Sequence, residues 1–400
     1  VYLQENDLTH YAMWTKYREA LITRLPNQQL TDLFKRASLK KNINPCSGYS
    51  QEEKMPTSVR EVLRRPASDR SAWRGSELQG DATWIYSLSE AAIKDIDAVL
   101  PQVKDLELTA IRKQDFPLPS IASELSNVLM ELNNGRGFTV IRGLPFGKYN
   151  DDDIARIFWG IGTYFGNPIS QNAEGHLLGH VRAIEGKKYM EKDVRGYQTT
   201  AELYFHNDNC DIVGLLCFRT AKAGGISKIA SSTTIYNEVL RQHQEFLDVL
   251  YEGFYYDLRG EELPGYAPIT PHRIPIYSFY ESKLSCRYVF TSIMQAARKA
   301  GLIFTAQEEA AMKFLNETAA REDIRLEMIF QPGDMQFLNN HVCLHSRTSY
   351  EDFEEPDRKR HMLRLWLNNN ARPLAPEFAD RYGQGLGMGV PKVVSAVGEV

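Results

Sequence analysis

Up to about Val103 the apolar positions recur at helical spacing in polar surroundings, first in LTHYAMWTKYREALITRL and again in LTDLFKRASLKK, followed by the Pro-, Ser- and Gly-containing stretch NPCSGYSQEEKMPTS. That pattern predicts an N-terminal helical cover with a loop in it. A helix is predicted from about Ser89 to Leu100, with Ser87 and Glu90 in capping-box spacing. Another is predicted from about Ser120 to Leu132, stopping at Asn134 and Gly135.

Beyond Gly137 the texture changes. GFTVIRGL (Gly137 to Leu144) reads as a short β-branched strand, and Asn150 is placed to cap the helix DDDIARIFWGIGTYFG. From His176 onward strand-like runs dominate, among them ELYFHND, IVGLLCF, ISKIASS, EGFYYDL, KLSCRYVF, IRLEMIF, MQFLN, VCLHSR and HMLRLWLN. Helices interrupt them twice, at about Thr233 to Leu250 and about Thr305 to Ala319, the second opened by Thr305 and Glu308 in capping-box spacing. Many short strands with turns between them predict a sandwich or barrel. The fold class is therefore mainly β with flanking helices (α+β), arranged as a helical extension and lead-in over 1–103, a β-rich domain with helical inserts over 104–375, and a tail over 376–400.

Composition narrows the partners. At 43% hydrophobic and 24% charged, 400 residues make a globular chain and exclude a disordered tail or a coiled coil. The balance of 47 basic against 51 acidic residues lacks the excess that nucleic acid or an anionic membrane calls for. No apolar run approaches the roughly 18 residues of a membrane span. The five cysteines, Cys46, Cys210, Cys217, Cys286 and Cys343, are odd in number and form no CxxC pair, which suggests neither a disulfide framework nor a zinc ribbon. A reducing, cytoplasmic setting is the expectation, although a first residue of Val1 leaves room for a trimmed leader.

The stretch that carries chemistry is AELYFHNDNCD. His206 and Asp208 stand at i and i+2, and strand alternation projects both from one face, so an imidazole and a carboxylate can meet one metal ion. Such a pair needs a third ligand. Of the nine histidines, His345 has the most suggestive context, in the block QPGDMQFLNNHVCLHSRTSYED, while His341 shares its parity four residues earlier. Two histidines and a carboxylate on one face, with the other positions open, is the facial arrangement of non-haem Fe(II) oxygenases.

At these residues the chain resembles the Fe(II)- and 2-oxoglutarate-dependent oxygenases that include taurine dioxygenase, 2,4-dichlorophenoxyacetate dioxygenase and clavaminate synthase. The resemblance covers about Ser71 to Leu367 and rests on GRGFTVIRGLP, IFWGIGTYFGNPISQN, GHVRAIEG, RGYQTTAELYFHNDNCDIVGLLCFRTAKAGGISKIASS and the block from NNHVCLHSRTSYED to RHMLRLWL. It implies a double-stranded β-helix, a jelly roll with the metal near one mouth. It implies Fe(II), held by His206, Asp208 and His345, with 2-oxoglutarate and O2 as cosubstrates, and it favours His345 over His341 through the RT step that follows His345. The distal carboxylate of 2-oxoglutarate would be held by Arg360, helped by Ser227 of the GGIS step, where relatives have Thr. Without the other motifs, Arg360 reads as a solvated charge of the DRKRH run.

The implied reaction is oxidation of an unactivated C–H bond of a small carboxylate-bearing substrate, by hydroxylation, desaturation or ring closure, with release of succinate and CO2. Arg364, on the Arg360 face if the strand is regular, would take the substrate's anionic group. Glu202, of the same parity as His206 and Asp208 if ELYFHND is extended, would meet an ammonium, so that the pair clamps a small amino acid or amino-acid-like acid, with secondary metabolism as a setting. Structural ion pairs are the alternative for both residues. A sulfonate or aryloxyalkanoate substrate, a cupin metalloenzyme without cosubstrate, and a metal-free binding jelly roll also remain open, as does a homo-oligomer. Gln171, Asn172, His180, Tyr197 and Gln198 are expected near the cavity, and Asn339 and Asn340 behind the ligand strand. The stretches YEGFYYD and YSFYES read as core packing.

Overall fold

One strand, His361–Asn368, is buried along nearly its whole length and fixes what lies on either side of it. Alternation sends Leu363, Leu365 and Leu367 into a core covered by helices, and Arg364 and Trp366 toward the opposite face and its cavity. The computed structural model describes residues 61–379, apart from 173, 192–193, 261 and 263–266. All of them belong to one unit, Val59–Val400. The two N-terminal helices and the loop expected before residue 60, and the tail beyond 379, lie outside the described residues.

In chain order the strands are β1 (Ile85–Ser87), β2 (Phe138–Arg142), β3 (Asn167–Pro168), β4 (Leu178–Val181), β5 (Ile212–Arg219), β6 (Ala223–Gly224) and β7 (Ser227–Ser231). They continue with β8 (Tyr277–Tyr280), β9 (Lys283–Cys286), β10 (Arg325–Met328), β11 (Met335–Asn339), β12 (Cys343–Arg347), β13 (Tyr350–Glu351) and β14 (His361–Asn368). The larger sheet runs β1-β2-β11-β5-β14-β3, with β4 also on β14, and the smaller runs β10-β7-β12. Phe138, Val213, Leu338 and Trp366 from the first meet Ile229, Leu326, Met328 and Cys343 from the second in one buried cluster. Two sheets closing face to face over a shared core are the two walls of the jelly roll.

Helices cover the outer surfaces. Glu90–Val103, Ala122–Asn134 and Asp151–Gly162 place Ile96, Leu125, Ile157 and Phe158 against Phe337 and Leu365 of the larger sheet. Ser232–Gln242, Leu247–Glu252 and Ala306–Ala320 bury a second cluster that includes Tyr236, Phe254, Tyr256 and Tyr277, so the aromatic stretches are mostly core, as expected. Asn150 and Thr305 cap their helices with full capping boxes.

Four local readings change. The helix after β1 is capped by Ser89, whose side chain accepts from the Ala92 N–H, because Ser87 is already paired with Arg142 in β1. The helix expected over 233–250 is broken where His243 leaves helical backbone, at φ −146°. Phe290–Ala300 is a helix that the pattern did not predict, burying Ile293, Ala296 and Ala297; it opens straight from a β-rich run with no capping side chain at Val289. ELYFHND and EGFYYDL form only isolated bridges. Cys210, Cys217, Cys286 and Cys343 are buried and form no disulfide with one another. Among the described residues, no helix is long and apolar enough to cross a membrane.

Candidate metal centre and active site

The backbone brings the histidines together before their side chains are considered. His206 donates its N–H to the His345 carbonyl at 3.0 Å, and His345 returns one to His206 at 2.9 Å. This antiparallel bridge joins residues far apart in the chain and sets their rings 4.3 Å apart, centre to centre. Asp208 completes the group: one donor atom each from His206, Asp208 and His345 lies within 4.8 Å of the others.

Asn207, between two of these candidate ligands, is what holds the segment, and nothing in the spacing singled it out. Its side chain points the other way and is buried, donating to the carbonyls of Asn340 and Cys343 and accepting from the Tyr288 N–H at 2.7 Å. Asn340 in turn accepts the Asp208 N–H at 3.0 Å, which ties the ligand segment to the turn before β12. Asn339 accepts the His341 N–H, so the Asn pair does sit behind the ligand strand.

The donor set suits a divalent metal. The Tyr204 carbonyl, 2.8 Å from His206 Nδ1, can only accept, so Nδ1 carries the hydrogen and Nε2 keeps its lone pair. Burial lowers the pKa of His206 and, with the neighbouring His206, pushes that of His345 down to about 3, keeping both rings neutral. Burial alone would raise the carboxyl of Asp208. Arg364, both histidines and the Trp366 N–H outweigh it and hold Asp208 well below the usual carboxylate range. Two neutral imidazoles and one carboxylate are the protonation states that metal binding requires. His341, the competitor, is engaged elsewhere, its Nε2 2.9 Å from Asp211 Oδ1.

Asp208 is oriented through Oδ2, which accepts from Trp366 Nε1 at 2.9 Å and Arg364 Nη1 at 3.2 Å. Trp366→Phe keeps the ring and deletes that donor. Metal affinity is expected to fall about 10- to 100-fold, measured by anaerobic Fe(II) titration, with the fold unchanged.

Arg360 is buried, its backbone N–H fixed to Asp352 Oδ1 at 2.7 Å. The guanidinium lies against Gly225, where a Cβ would come within 3.1 Å of Nε; Gly225 also has φ +71°, which favours glycine. Its Nη1 is buried without a hydrogen-bond partner. A buried guanidinium with an unused donor fits an incoming carboxylate and does not fit a solvated charge. Ser227, also buried, pairs across the strands with Arg347, whose Nη1 and Nη2 donate to the carbonyls of Thr199 and Ala201 ahead of the ligand segment.

The substrate-side expectations fare unevenly. Arg364 lines the cavity and shares its charge between Asp208 and Gln171, whose Oε1 is 2.7 Å from Nε. Glu202 does not share the ligands' face: with no ladder to enforce alternation, parity fails, and the side chain pairs with Lys228 at 2.8 Å, part-exposed and outside the cavity lining. Tyr197 lines the cavity. Gln171 stands behind Arg364, Asn172 bonds His176, Gln198 accepts from the Arg195 N–H, and His180 pairs with His361 at 2.8 Å. Sequence reasoning also missed the cavity's other wall, Tyr256–Arg259 and Arg287–Ser292, because no motif marks it.

Comparison with known proteins agrees with this geometry. Residues 102–366 match the family described as taurine catabolism dioxygenase TauD, TfdA family. The FR-33289 synthase of Streptomyces rubellomurinus is 31% identical over 313 residues, covering 77% of this chain and 92% of that protein. A taurine hydroxylase-like protein of Stachybotrys chartarum is 29% identical over 310 residues, covering 74% and 78%. An asparagine oxygenase solved with Fe(II), 3-hydroxyasparagine and succinate superposes with a TM-score of 0.54 at 16% identity, covering 71% of this chain and 94% of that one. The non-haem iron oxygenase OrfP, solved with Fe, succinate and (3S)-hydroxy-L-Arg, gives 0.52 at 15% identity, with 71% and 94% covered. These two establish the jelly-roll fold, and the match over most of the chain establishes the family. The chain belongs to the TauD/TfdA family of Fe(II)- and 2-oxoglutarate-dependent dioxygenases.

Proposed function

We propose that this dioxygenase holds Fe(II) through His206, Asp208 and His345, holds 2-oxoglutarate through Arg360 and Ser227, and oxidises an unactivated C–H bond of a small carboxylate-bearing substrate, an amino acid or amino-acid-derived acid. The observation that carries the reading is the clustered His–Asp–His group, with His345 buried, together with the unused Nη1 of Arg360. Bound there, the iron and its cosubstrate supply an oxidation by dioxygen in which 2-oxoglutarate becomes succinate and CO2.

The chain's own residues do the selecting. Asn207, Asn340 and the His206–His345 bridge fix the three donor atoms before any metal arrives, so little ordering remains to be done on binding. Arg360 fixes one end of the cosubstrate by a forked, charge-assisted contact, and Ser227 offers a hydroxyl beside it. Arg364 spends Nε and Nη1 on Gln171 and Asp208, which leaves Nη2 to an anionic group in the cavity. Tyr197, Tyr204, Tyr256 and Phe290 wall the space, excluding water and holding the C–H bond in place.

The test is anaerobic. Adding Fe(II) and 2-oxoglutarate to the metal-free protein is expected to produce a weak visible charge-transfer band, and admitting air is expected to form succinate. Iron that binds with no such band would remove Arg360 and Ser227 from the cosubstrate site.

A further inference from the structure

Three buried polar atoms on three neighbouring side chains lack a hydrogen-bond partner among the described residues: Arg347 Nε, Tyr350 Oη and Arg360 Nη1. Such atoms are rare, because each loses its hydration with nothing to replace it. These three lie together. The guanidinium carbon of Arg347 stands over the Tyr350 ring, 4.5 Å from its centre, and that of Arg360 stands over the same ring at 5.2 Å. The Ala183 backbone and both guanidinium groups act on the phenol, yet none of them closes a hydrogen bond with Oη.

The local backbone makes room for the contact. Tyr350 pairs with Gly224 across β6 and β13. A Cβ on Gly225 would come within 3.5 Å of Tyr350 Cβ and 3.1 Å of Arg360 Nε, so the glycine pair before Ser227 lets the tyrosine and the arginine close over the same step. Tyr350 is 8% exposed. Burial raises the pKa of its phenol, so the hydroxyl keeps its proton and is a donor. Arg347 spends Nη1 and Nη2 on the neutral carbonyls of Thr199 and Ala201, contacts that leave its charge uncancelled. Burial lowers its pKa to about 10, which still keeps it charged at neutral pH.

We propose that Tyr350 is a further cosubstrate-binding residue, whose hydroxyl donates to the distal carboxylate of 2-oxoglutarate alongside Arg360. This rests on the assignment of that carboxylate to Arg360 and adds a contact that the family resemblance did not imply. A carboxylate has about four lone-pair sites, more than one guanidinium fork occupies, and a phenol O–H fills another. The two cations beside the ring make the phenol a stronger donor. In the empty protein the orphaned hydroxyl destabilises the fold, and a bound carboxylate satisfies it, so the group is placed for binding rather than for folding.

The test follows the visible band while the full chain, loaded anaerobically with Fe(II), is titrated with 2-oxoglutarate and separately with 2-oxopentanoate, which keeps the 2-oxo acid end and lacks the distal carboxylate. Tyr350→Phe is expected to raise the Kd for 2-oxoglutarate about tenfold. The Kd values for 2-oxopentanoate and Fe(II) are expected not to move, and the metal-free variant to unfold in denaturant no more easily than the parent. In the Arg360→Met protein the same substitution is expected to have a smaller effect, because both residues act on one group. Parental 2-oxoglutarate affinity in Tyr350→Phe overturns the proposal, and so does an equal rise for the two 2-oxo acids, which would put the hydroxyl away from the distal carboxylate. Failure of the band in the unsubstituted protein, or parental 2-oxoglutarate affinity in Arg360→Met, overturns the cosubstrate reading instead, so the two failures are distinguishable.

Discussion

His345→Ala is expected to abolish Fe(II) binding and lower succinate formation by more than about 100-fold, while leaving the metal-free protein within about 1 kcal/mol of its parent in stability. The two halves of this result come from the same environment. His345 is 8% exposed, its Nδ1 is buried with no hydrogen-bond partner, and burial beside His206 pushes its pKa down to about 3. An imidazole so placed contributes packing and forfeits the hydration of a polar atom, and those effects oppose each other when the ring is removed. A structural histidine behaves differently. His341→Ala removes one of the partners of Asp211, which keeps the Asn369 and Asn370 N–H groups, and is expected to cost about 1–3 kcal/mol without changing iron affinity. Denaturant unfolding with and without Fe(II) separates the cases, because a ligand that binds only the folded state stabilises it by mass action. The parent and His341→Ala should gain stability with added metal and His345→Ala should not. A His345→Ala protein that binds Fe(II) with parental affinity would move the third ligand elsewhere.

What could be read from the sequence tracks the range of the interactions responsible. Local chemistry was legible: Asn150 and Thr305 announce their helices through capping boxes that depend on residues three apart. Alternation was legible where a ladder enforces it, as along β14, which turns Arg364 and Trp366 to one side and the leucines to the other. It failed where the backbone is extended without a ladder. ELYFHND has two isolated bridges at His206 and nothing at Glu202, so the parity that joined Glu202 to the ligands had no physical basis. The metal group was legible because its residue types are rare in that combination and a family motif surrounds them. Its support was not: Asn207 works through the carbonyls of Asn340 and Cys343, more than a hundred residues away. The cavity's other wall escaped for the same reason. Asp257 and Ser292 stand on separate stretches of chain, and only the packing of one against the other shows that those stretches share a cavity with His206.

Arg360→Met is expected to raise the Kd for 2-oxoglutarate by about 100-fold or more, consistent with the 2–5 kcal/mol lost when one partner of a buried, hydrogen-bonded charge pair is truncated. The sign of its effect on the empty protein distinguishes a cosubstrate site from a structural ion pair. A structural pair loses stability when its cation goes, because the buried anion is stranded. Among the described residues Arg360 has no such anion: its one hydrogen bond to an acid there, Asp352, is made by the backbone N–H, which Met retains, and its Nη1 is buried with no partner. Burial lowers the pKa of the guanidinium, which records the cost of keeping a charge there. Methionine has a similar length without that charge, so the metal-free variant is expected to be at least as stable as the parent. Fe(II) binding should persist, since Arg360 touches none of the three ligands, and turnover should return at high 2-oxoglutarate. Arg360→Lys is expected to rescue only part of the affinity, because a single ammonium cannot reproduce the fork. Loss of stability with unchanged 2-oxoglutarate affinity would make Arg360 a structural residue, and the distal carboxylate would then have to be held by another group along β7 and β12.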